Sequence, residues 1–236
     1  MSIAENIAAI RAKMNAAALA AGRDPKEIRL CAATKMNDSQ KVQLAIAAGV
    51  DCCGENRVQE LTAKLAEGAY TGAPVHFIGH LQTNKVKQVV GKVDLIQSVD
   101  SRRLLEAINK EAQKQGLTQR ILLEINIAAQ ESKSGFSVSE VYALLEDLPL
   151  FPNVMVCGFM AIPPICHNSG ENDKFFQEMY NLSVDITAKK YDNIRVDFLS
   201  MGMSDDFEDA IRCGSNMIRV GTAIFGARDY SKTNQA

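Results

Sequence analysis

The chain has 236 residues, of which 26 are lysine or arginine and 28 are aspartate or glutamate, for a formal net charge of −2. This length can bury one large core, and the balanced charge gives no basic surface of the kind that binds nucleic acid or anionic membranes. No apolar run is long enough to span a bilayer and no secretory signal opens the chain, so we expect a cytoplasmic protein.

The first half of the chain alternates helical segments with short apolar runs that are typical of buried strands. An opening helix is predicted because Ile3, Ile7, Ile10 and Met14 fall on one helical face. The predicted strands of this half are 28–34, 50–54, 75–79 and 94–99. The helices predicted after them carry Val42 and Ile46, then Val58, Leu61 and Leu65, then Val86, Val89 and Val90, and lastly Leu104, Leu105, Ile108 and Ala112.

The second half of the chain repeats this order. Its predicted strands are 120–127, 154–161, 196–200 and 217–225. Ser137 and Glu140 have the spacing of a capping box, which predicts the start of the helix after the fifth strand. A polar loop over 163–173 leads to the next helix, and a helix beginning with Asp205 and Asp206 follows the seventh strand.

Eight strands alternating with helices predict an α/β fold, a single (β/α)8 TIM barrel over residues 1–230 with a polar tail at 231–236. A doubly wound open sheet would show the same alternation and stays an alternative. No glycine-rich dinucleotide fingerprint follows the first strand, which weakens that alternative.

The cysteines occur at positions 31, 52, 53, 157, 166 and 213, without a CxxC pair or a regular framework. Three of them lie in apolar runs, so reduced and mostly buried thiols are expected. Cys166 and His167 are adjacent in a polar loop, but no obvious partner accompanies them. We therefore expect no metal site.

Lys35 is the residue of greatest chemical interest, because it ends the first predicted strand just before the turn-forming Asn37, Asp38 and Ser39. Reactive groups of a barrel lie at the carboxyl ends of its strands. A lysine there can form an imine with a carbonyl compound if partial burial or a nearby cation favours the neutral amine. A solvated lysine at a strand end is the alternative interpretation.

The ends of the seventh and eighth strands predict a phosphate site. Gly202 lets the backbone approach an anion closely, and Ser204 precedes a helix whose first N–H groups are free. Gly221 and Thr222 could supply further donors after the eighth strand. The alternative is that Ser204 only caps the helix, and the two aspartates after it would repel a phosphate unless they point away.

A lysine opposite a phosphate site suggests pyridoxal 5′-phosphate, which needs an amine for its aldehyde and an anchor for its phosphate. Arg219 on the eighth predicted strand would keep a neighbouring pyridine nitrogen unprotonated, because a guanidinium stays charged at working pH. An unprotonated ring is a poor electron sink, so carbanion chemistry would be weak. A salt bridge at the barrel end is the alternative for Arg219.

Seven motifs in a fixed order extend over almost the whole chain. They are ATK from Ala33, GENRVQE from Gly54, HFIGHLQTNK from His76, SKSGF from Ser132, GFMAIPP from Gly158, SMGMSDDF from Ser200 and RVGTAIFG from Arg219. This pattern resembles the pyridoxal phosphate homeostasis protein family. Ala32, Ala33 and Met36 depart slightly from the family's wording around the lysine, which changes packing more than chemistry.

The resemblance implies a monomeric barrel like the N-terminal domain of alanine racemase, of PLP fold type III and without the C-terminal β domain of that enzyme. It also implies pyridoxal 5′-phosphate held as an internal aldimine. Carried over by position, the binding residues are Lys35 for the aldimine, Asn56 and His80 for the ring pocket, Arg219 for the pyridine nitrogen, and Met201, Gly202, Ser204, Gly221 and Thr222 for the phosphate.

In function, the resemblance implies a non-catalytic protein that carries or buffers the cofactor, with cofactor-dependent apoenzymes as partners and an indirect effect on amino-acid and keto-acid balance. An amino-acid racemase is the competing function. It needs a second base, which in alanine racemase is a tyrosine of the C-terminal domain. This sequence ends ten residues after Gly226, and none of its tyrosines lies in a matching segment. A Schiff-base aldolase acting on a phosphorylated sugar is the third alternative.

Overall fold

The computed structural model describes residues 1–130, 133–189, 191 and 193–226. Within them, eight parallel strands form a closed barrel in chain order. The strands are β1 (Arg29–Ala33), β2 (Cys52–Glu55), β3 (Val75–Phe77), β4 (Leu95–Val99), β5 (Gln119–Ile125), β6 (Val154–Ala161), β7 (Ile194–Ser200) and β8 (Met217–Val220). The predicted barrel is therefore confirmed, and the open-sheet alternative is wrong.

Helices connect most of the strands on the outside of the barrel. They are α1 (Ile3–Ala20), α2 (Ser39–Ala47), α3 (Val58–Ala66), α4 (Arg102–Gln115), α5 (Val138–Asp147), α6 (Asp173–Lys189), α7 (Phe207–Arg212) and α8 (Thr222–Phe225). The capping box predicted at Ser137 and Glu140 is confirmed. A second box, between Ser2 and Glu5, starts α1 and was not predicted.

Three segments differ from the prediction. The helix predicted to begin at Asp205 begins at Phe207, because the N–H groups of Asp206 and Phe207 donate to the Met203 carbonyl in a turn before it. After β3 the chain forms only a 3₁₀ turn over Thr83–Gln88, because β-branched valines are weak helix formers and Gly91, at a φ of 74°, soon ends the segment. The eighth strand stops at Val220 and gives way to α8. The α8 segment packs against the outer helix layer, where Asn6 Nδ2 donates to the Ile224 carbonyl at 2.8 Å.

Side chains alternate between the inside and the outside of the barrel. Leu30 of β1 packs in the large core shared with the helices, whereas Cys31 belongs to a separate cluster. Parallel pairing places Cys31 opposite Cys52 of β2 and opposite Arg219 of β8. Registered neighbours point to the same face of a sheet, so these three side chains enter the barrel interior at one level.

The carboxyl ends of the strands open together at one face of the barrel, where barrel proteins place their functional groups. Among the described residues, no helix is both long and apolar enough to cross a membrane. The predicted polar tail at 231–236 lies outside the described residues.

Candidate functional site

A cavity of about 600 Å³ lies at the carboxyl ends of β1, β2, β7 and β8. Ala33, Ile78, Ile162 and Met203 supply apolar parts of its wall. Six of the nine predicted site residues also line it, namely Lys35, Asn56, Ser204, Arg219, Gly221 and Thr222. The closed barrel thus brings together residues that are up to 187 positions apart in the sequence, from Lys35 to Thr222.

The backbone on both sides of Lys35 is fixed by hydrogen bonds. Before it, the Thr34 N–H donates to the Gly54 carbonyl at 2.9 Å. After it, Met36 adopts a φ of 61°, a left-handed conformation that costs a non-glycine residue about 1 kcal/mol or more. The Met36 N–H donates to Glu60 Oε2 at 2.6 Å, which holds the chain in this conformation. The half-buried Lys35 therefore projects from a constrained turn.

A buried polar network beneath this turn was not predicted from the sequence. Glu55 Oε1 accepts hydrogen bonds from Thr34 Oγ1 at 2.6 Å, Lys64 Nζ at 2.5 Å and Tyr70 Oη at 3.0 Å. Lys64 Nζ also donates to the Thr34 carbonyl at 2.8 Å. Burial and the Glu55 carboxylate raise the pKa of Tyr70, so its hydroxyl remains a donor. The network joins α3 to the residue directly before Lys35.

Arg219 is buried at the floor of the cavity and is held on two sides. Its guanidinium donates to Ser200 Oγ at 2.7 Å and to the Ala161 carbonyl at 2.9 Å. Ser200 in turn donates to Gln97 Oε1 at 2.7 Å. Burial lowers the pKa of Arg219, but a guanidinium remains charged at any working pH. These two hydrogen bonds hold the positive charge of Arg219 at the floor of the cavity.

The predicted phosphate residues, which lie in the loops after β7 and β8, differ in whether they line the cavity. Ser204, Gly221 and Thr222 line the cavity, and Thr222 begins α8, whose first N–H groups have no acceptor within the helix. Met201 and Gly202 are buried behind this surface and are not among the residues that line it. A Cβ at Gly202 would lie 2.6 Å from Ala210 Cβ, so this glycine serves the packing of α7.

The two aspartates after Ser204 behave differently. Asp206 is buried and turned into the protein, where its carboxylate accepts from the Met203 N–H at 2.7 Å and from Asn172 Nδ2 at 3.0 Å. Asp205 is exposed and lines the edge of the cavity. Only one of the two carboxylates therefore borders the region predicted to receive an anion.

The two residues predicted to line a ring pocket, Asn56 and His80, also differ in position. Asn56 lines the cavity, and its Oδ1 is buried without a hydrogen-bond partner among the described atoms. A Cβ at Gly79 would lie 2.2 Å from the Asn56 carbonyl oxygen, so only glycine permits this close approach of two strand ends. His80, in contrast, is exposed and pairs through Nδ1 with Asp100 at 3.0 Å, outside the lining of the cavity.

Glu124 is a further ionisable group, near the carboxyl end of β5. Burial, with a smaller contribution from Asp100, raises its pKa to about 7, although Arg219 opposes the shift. The folded protein then keeps a proton between pH 4.5 and 7 that the unfolded chain has already released. Stability should therefore fall as pH rises through this window, by up to about 3 kcal/mol in the ligand-free protein.

We expect Glu124→Gln to remove this slope and to stabilise the ligand-free protein at pH 7, because the amide needs no ionisation. Urea unfolding at a series of pH values measures the effect. Glu178→Gln, at an exposed position on α6, is the matched control and should keep the slope of the unsubstituted protein. An equal slope in both variants would contradict the assignment to Glu124.

The fold and the site together define a class of protein: a single parallel (β/α)8 barrel with a lysine after β1, a buried arginine on β8 and hydroxyl side chains beyond β7 and β8. Residues 2–229 match the family model described as the alanine racemase N-terminal domain. The barrel also superposes on the alanine racemase of Clostridium difficile with a TM-score of 0.65 at 14% identity, over 87% of this chain and 53% of that one. This likeness concerns the fold alone.

Closer similarity is found with smaller proteins. The chain is 39% identical to the pyridoxal phosphate homeostasis protein of Escherichia coli strain K12, over 98% of both chains. It is 31% identical to PipY of Synechococcus elongatus, solved with PLP bound, at a TM-score of 0.82 and over 95% of this chain and 100% of that one. The chain belongs to the pyridoxal phosphate homeostasis protein family, and the resemblance seen in the sequence is confirmed.

Proposed function

We propose that this protein binds pyridoxal 5′-phosphate covalently through Lys35 and takes part in intracellular cofactor homeostasis as a carrier or buffer. One observation carries the proposal: Lys35, Arg219, Ser204 and Thr222 line the same cavity. The similar PipY protein, which was solved with PLP bound, supports the choice of ligand. The similar proteins named for pyridoxal phosphate homeostasis support the cellular role.

The residues present fit this cofactor. A cavity of about 600 Å³ is in the range that holds small-molecule ligands. The unpartnered Asn56 Oδ1 would accept a hydrogen bond from a ligand donor, such as a phenolic hydroxyl. The N–H groups of Thr222 and Ala223 and the side chains of Ser204 and Thr222 offer donors for a phosphate, whereas the N–H groups of Ile224 and Phe225 already donate to the Gly221 carbonyl. When bound, the cofactor supplies an aldehyde for a Schiff base and a ring that can withdraw electrons.

The protein's own groups favour retention of the cofactor over turnover. Lys35 contributes the amine, and its fixed backbone limits the positions that the amine can reach. Arg219 cannot give up its proton, so it disfavours a proton on any ring nitrogen beside it, which weakens electron withdrawal. Racemisation needs a second base on the other side of the substrate. None of the tyrosines in the described part of the chain lines the cavity.

The phosphate residues give a quantitative test. Hydrogen bonds to a charged group contribute about 1.5–3 kcal/mol each, so Ser204→Ala with Thr222→Val should weaken pyridoxal 5′-phosphate binding by at least about tenfold. Pyridoxal lacks the phosphate and serves as the control, because its affinity should be nearly the same for the unsubstituted protein and for the double variant. Titration followed by Schiff-base absorbance measures both constants. Equal losses of affinity for pyridoxal 5′-phosphate and for pyridoxal would show that these residues do not bind the phosphate.

The carrier role is tested separately from binding. Loaded protein mixed with a cofactor-free aminotransferase should restore that enzyme's activity, and racemisation of alanine, serine or glutamate should stay at the level of a protein-free control. Racemisation with many turnovers per loaded protein would favour the racemase alternative instead. Retro-aldol cleavage of a sugar phosphate without added cofactor would favour the aldolase alternative.

A further inference from the structure

Two thiols and an imidazole meet inside the barrel, next to the cavity. The sulfurs of Cys31 and Cys52 and a ring nitrogen of His76 all lie within 4.8 Å of one another. All three residues are buried. Ile78 belongs to the same packed cluster as both cysteines and also lines the cavity, so this cluster adjoins the cavity. None of the three side chains has a part in the proposed cofactor site.

The strand register explains why these residues meet. Cys31 of β1 is opposite Cys52 of β2, and His76 of β3 is opposite Gly54 of β2. Gly54 leaves the necessary space, because a Cβ there would lie 2.9 Å from Cys31 Sγ and 2.7 Å from Ile78 Cδ1. The cluster therefore depends on three neighbouring strands and on one missing side chain.

Thiolate and imidazole donors are the ligands preferred by thiophilic d10 cations. Around one such ion, with bonds of about 2.0–2.3 Å, donor atoms are roughly 3.5–4 Å apart. The donor atoms of this cluster all lie within 4.8 Å of one another, so small side-chain rotations are enough to reach that spacing. Met217 packs in the same cluster, which adds a thioether side chain to the two thiols.

Gln97 is placed to orient the imidazole ring of His76. Its Nε2 lies 2.9 Å from His76 Nδ1 and 3.2 Å from Met217 Sδ. In this arrangement the amide donates to Nδ1, so a neutral ring carries its proton on Nε2. An amide turned by 180° about its last bond has the same shape. Its oxygen would accept an N–H from Nδ1, as partners of metal-bound histidines commonly do, which leaves Nε2 to an ion. Its NH2 group would then donate to Ser200 Oγ, in place of the present bond from Ser200 to Oε1.

Charge balance accompanies the geometry. An ion that coordinates both sulfurs displaces their thiol protons to solvent and balances the negative charge of two thiolates in a buried place.

We propose that Cys31, Cys52 and His76 form a binding site for one thiophilic d10 cation, Zn²⁺ or Cu⁺. The site has its own ligands and adjoins the cofactor site through Ile78 and through Gln97, which contacts His76 and also accepts from the Ser200 that holds Arg219. Its ligands come from β1, β2 and β3, and Met217 of β8 packs in the same cluster. Two thiolates and one imidazole would leave a divalent ion neutral and a monovalent ion with one negative charge next to Arg219.

The first experiment measures stoichiometry in reduced, metal-free full-length protein. Zn²⁺ is added against a chromophoric chelator, and Cu⁺ is added against bicinchoninate under reducing conditions. We expect one equivalent of at least one ion per chain, and at least a tenfold loss of affinity in both Cys31→Ala and Cys52→Ala. Cys53→Ala is the matched control, because Cys53 lies on the same strand but packs in the core on the outer face of the sheet.

Several results would overturn the proposal. They are the absence of stoichiometric binding for both ions, or equal affinities in Cys31→Ala, Cys52→Ala and Cys53→Ala. A second measurement needs no variant: X-ray absorption of the ion-loaded protein should show two sulfur neighbours near 2.3 Å and nitrogen near 2.0 Å. A shell of oxygen and nitrogen alone would place the ion elsewhere. These readouts do not depend on Lys35, so they stand apart from the test of the proposed function.

Discussion

Lys35→Ala protein mixed with pyridoxal 5′-phosphate should show no Schiff-base absorption band and should retain no cofactor after borohydride reduction and denaturation. Lys35 is the lysine that lines the cavity among the described residues, so its loss removes the amine that the proposed linkage needs. The expected effect is complete loss of covalent attachment. Residual affinity from the phosphate and ring contacts should remain and be measurable as noncovalent binding.

The measurement combines absorbance titration with mass spectrometry of the reduced protein. In the unsubstituted protein, one cofactor mass should be found on the peptide that contains Lys35. Lys41→Ala is the matched control, because Lys41 is an exposed lysine on the neighbouring α2 and its removal should change neither readout. Attachment at another lysine in the unsubstituted protein, or an undiminished band in Lys35→Ala, would contradict the assignment.

Lys64→Met should destabilise the protein by about 3–5 kcal/mol. Lys64 is the cation that faces the fully buried Glu55, and the substitution leaves that carboxylate without a compensating charge. Lys64 Nζ also donates to the Thr34 carbonyl, which would lose this donor. Unfolding in urea, followed by circular dichroism, measures the shift of the denaturation midpoint and its slope.

A double variant separates buried charge from packing. Adding Glu55→Gln to Lys64→Met removes the uncompensated carboxylate, so the double variant should recover a large part of the lost stability. Lys13→Met is the control for the substitution itself. The Lys13 pair with Glu208 is exposed, and such pairs contribute about 1 kcal/mol or less. Similar losses of stability in Lys13→Met and Lys64→Met would show that the buried pair contributes no more than an exposed one.

Local sequence patterns predict much of this fold because strand alternation and helix caps depend on neighbouring residues. The capping box at Ser137 and the stretch of β6 are examples, and the barrel follows from their repetition. The pattern fails where local preference is weak. The valines after β3 have helical spacing, but Val86 lies in a 3₁₀ segment that ends at Gln88, and Val89 and Val90 follow it outside any helix. Ile224 continues an apolar run that the structure assigns to α8.

The candidate site is predictable where a residue's chemistry and its place at a strand end coincide. Lys35, Arg219 and Thr222 were recognised in this way, and all three line the cavity. The network of Glu55 and Lys64 was missed because its members come from a strand and from the following helix, and no spacing marks them. The thiol and imidazole cluster was missed for a similar reason, since its three ligands belong to three strands.

The two contacts from α3 to the turn around Lys35 have a consequence for interpreting variants. Glu60 accepts from the N–H of the residue after Lys35, and Lys64 donates to the carbonyl of the residue before it. Neither side chain lines the cavity. Changes that loosen α3 would thus release the lysine turn and look like defects in ligand recognition. A genetic screen for poor cofactor retention would recover α3 positions as anchors of the turn, although they never touch the ligand.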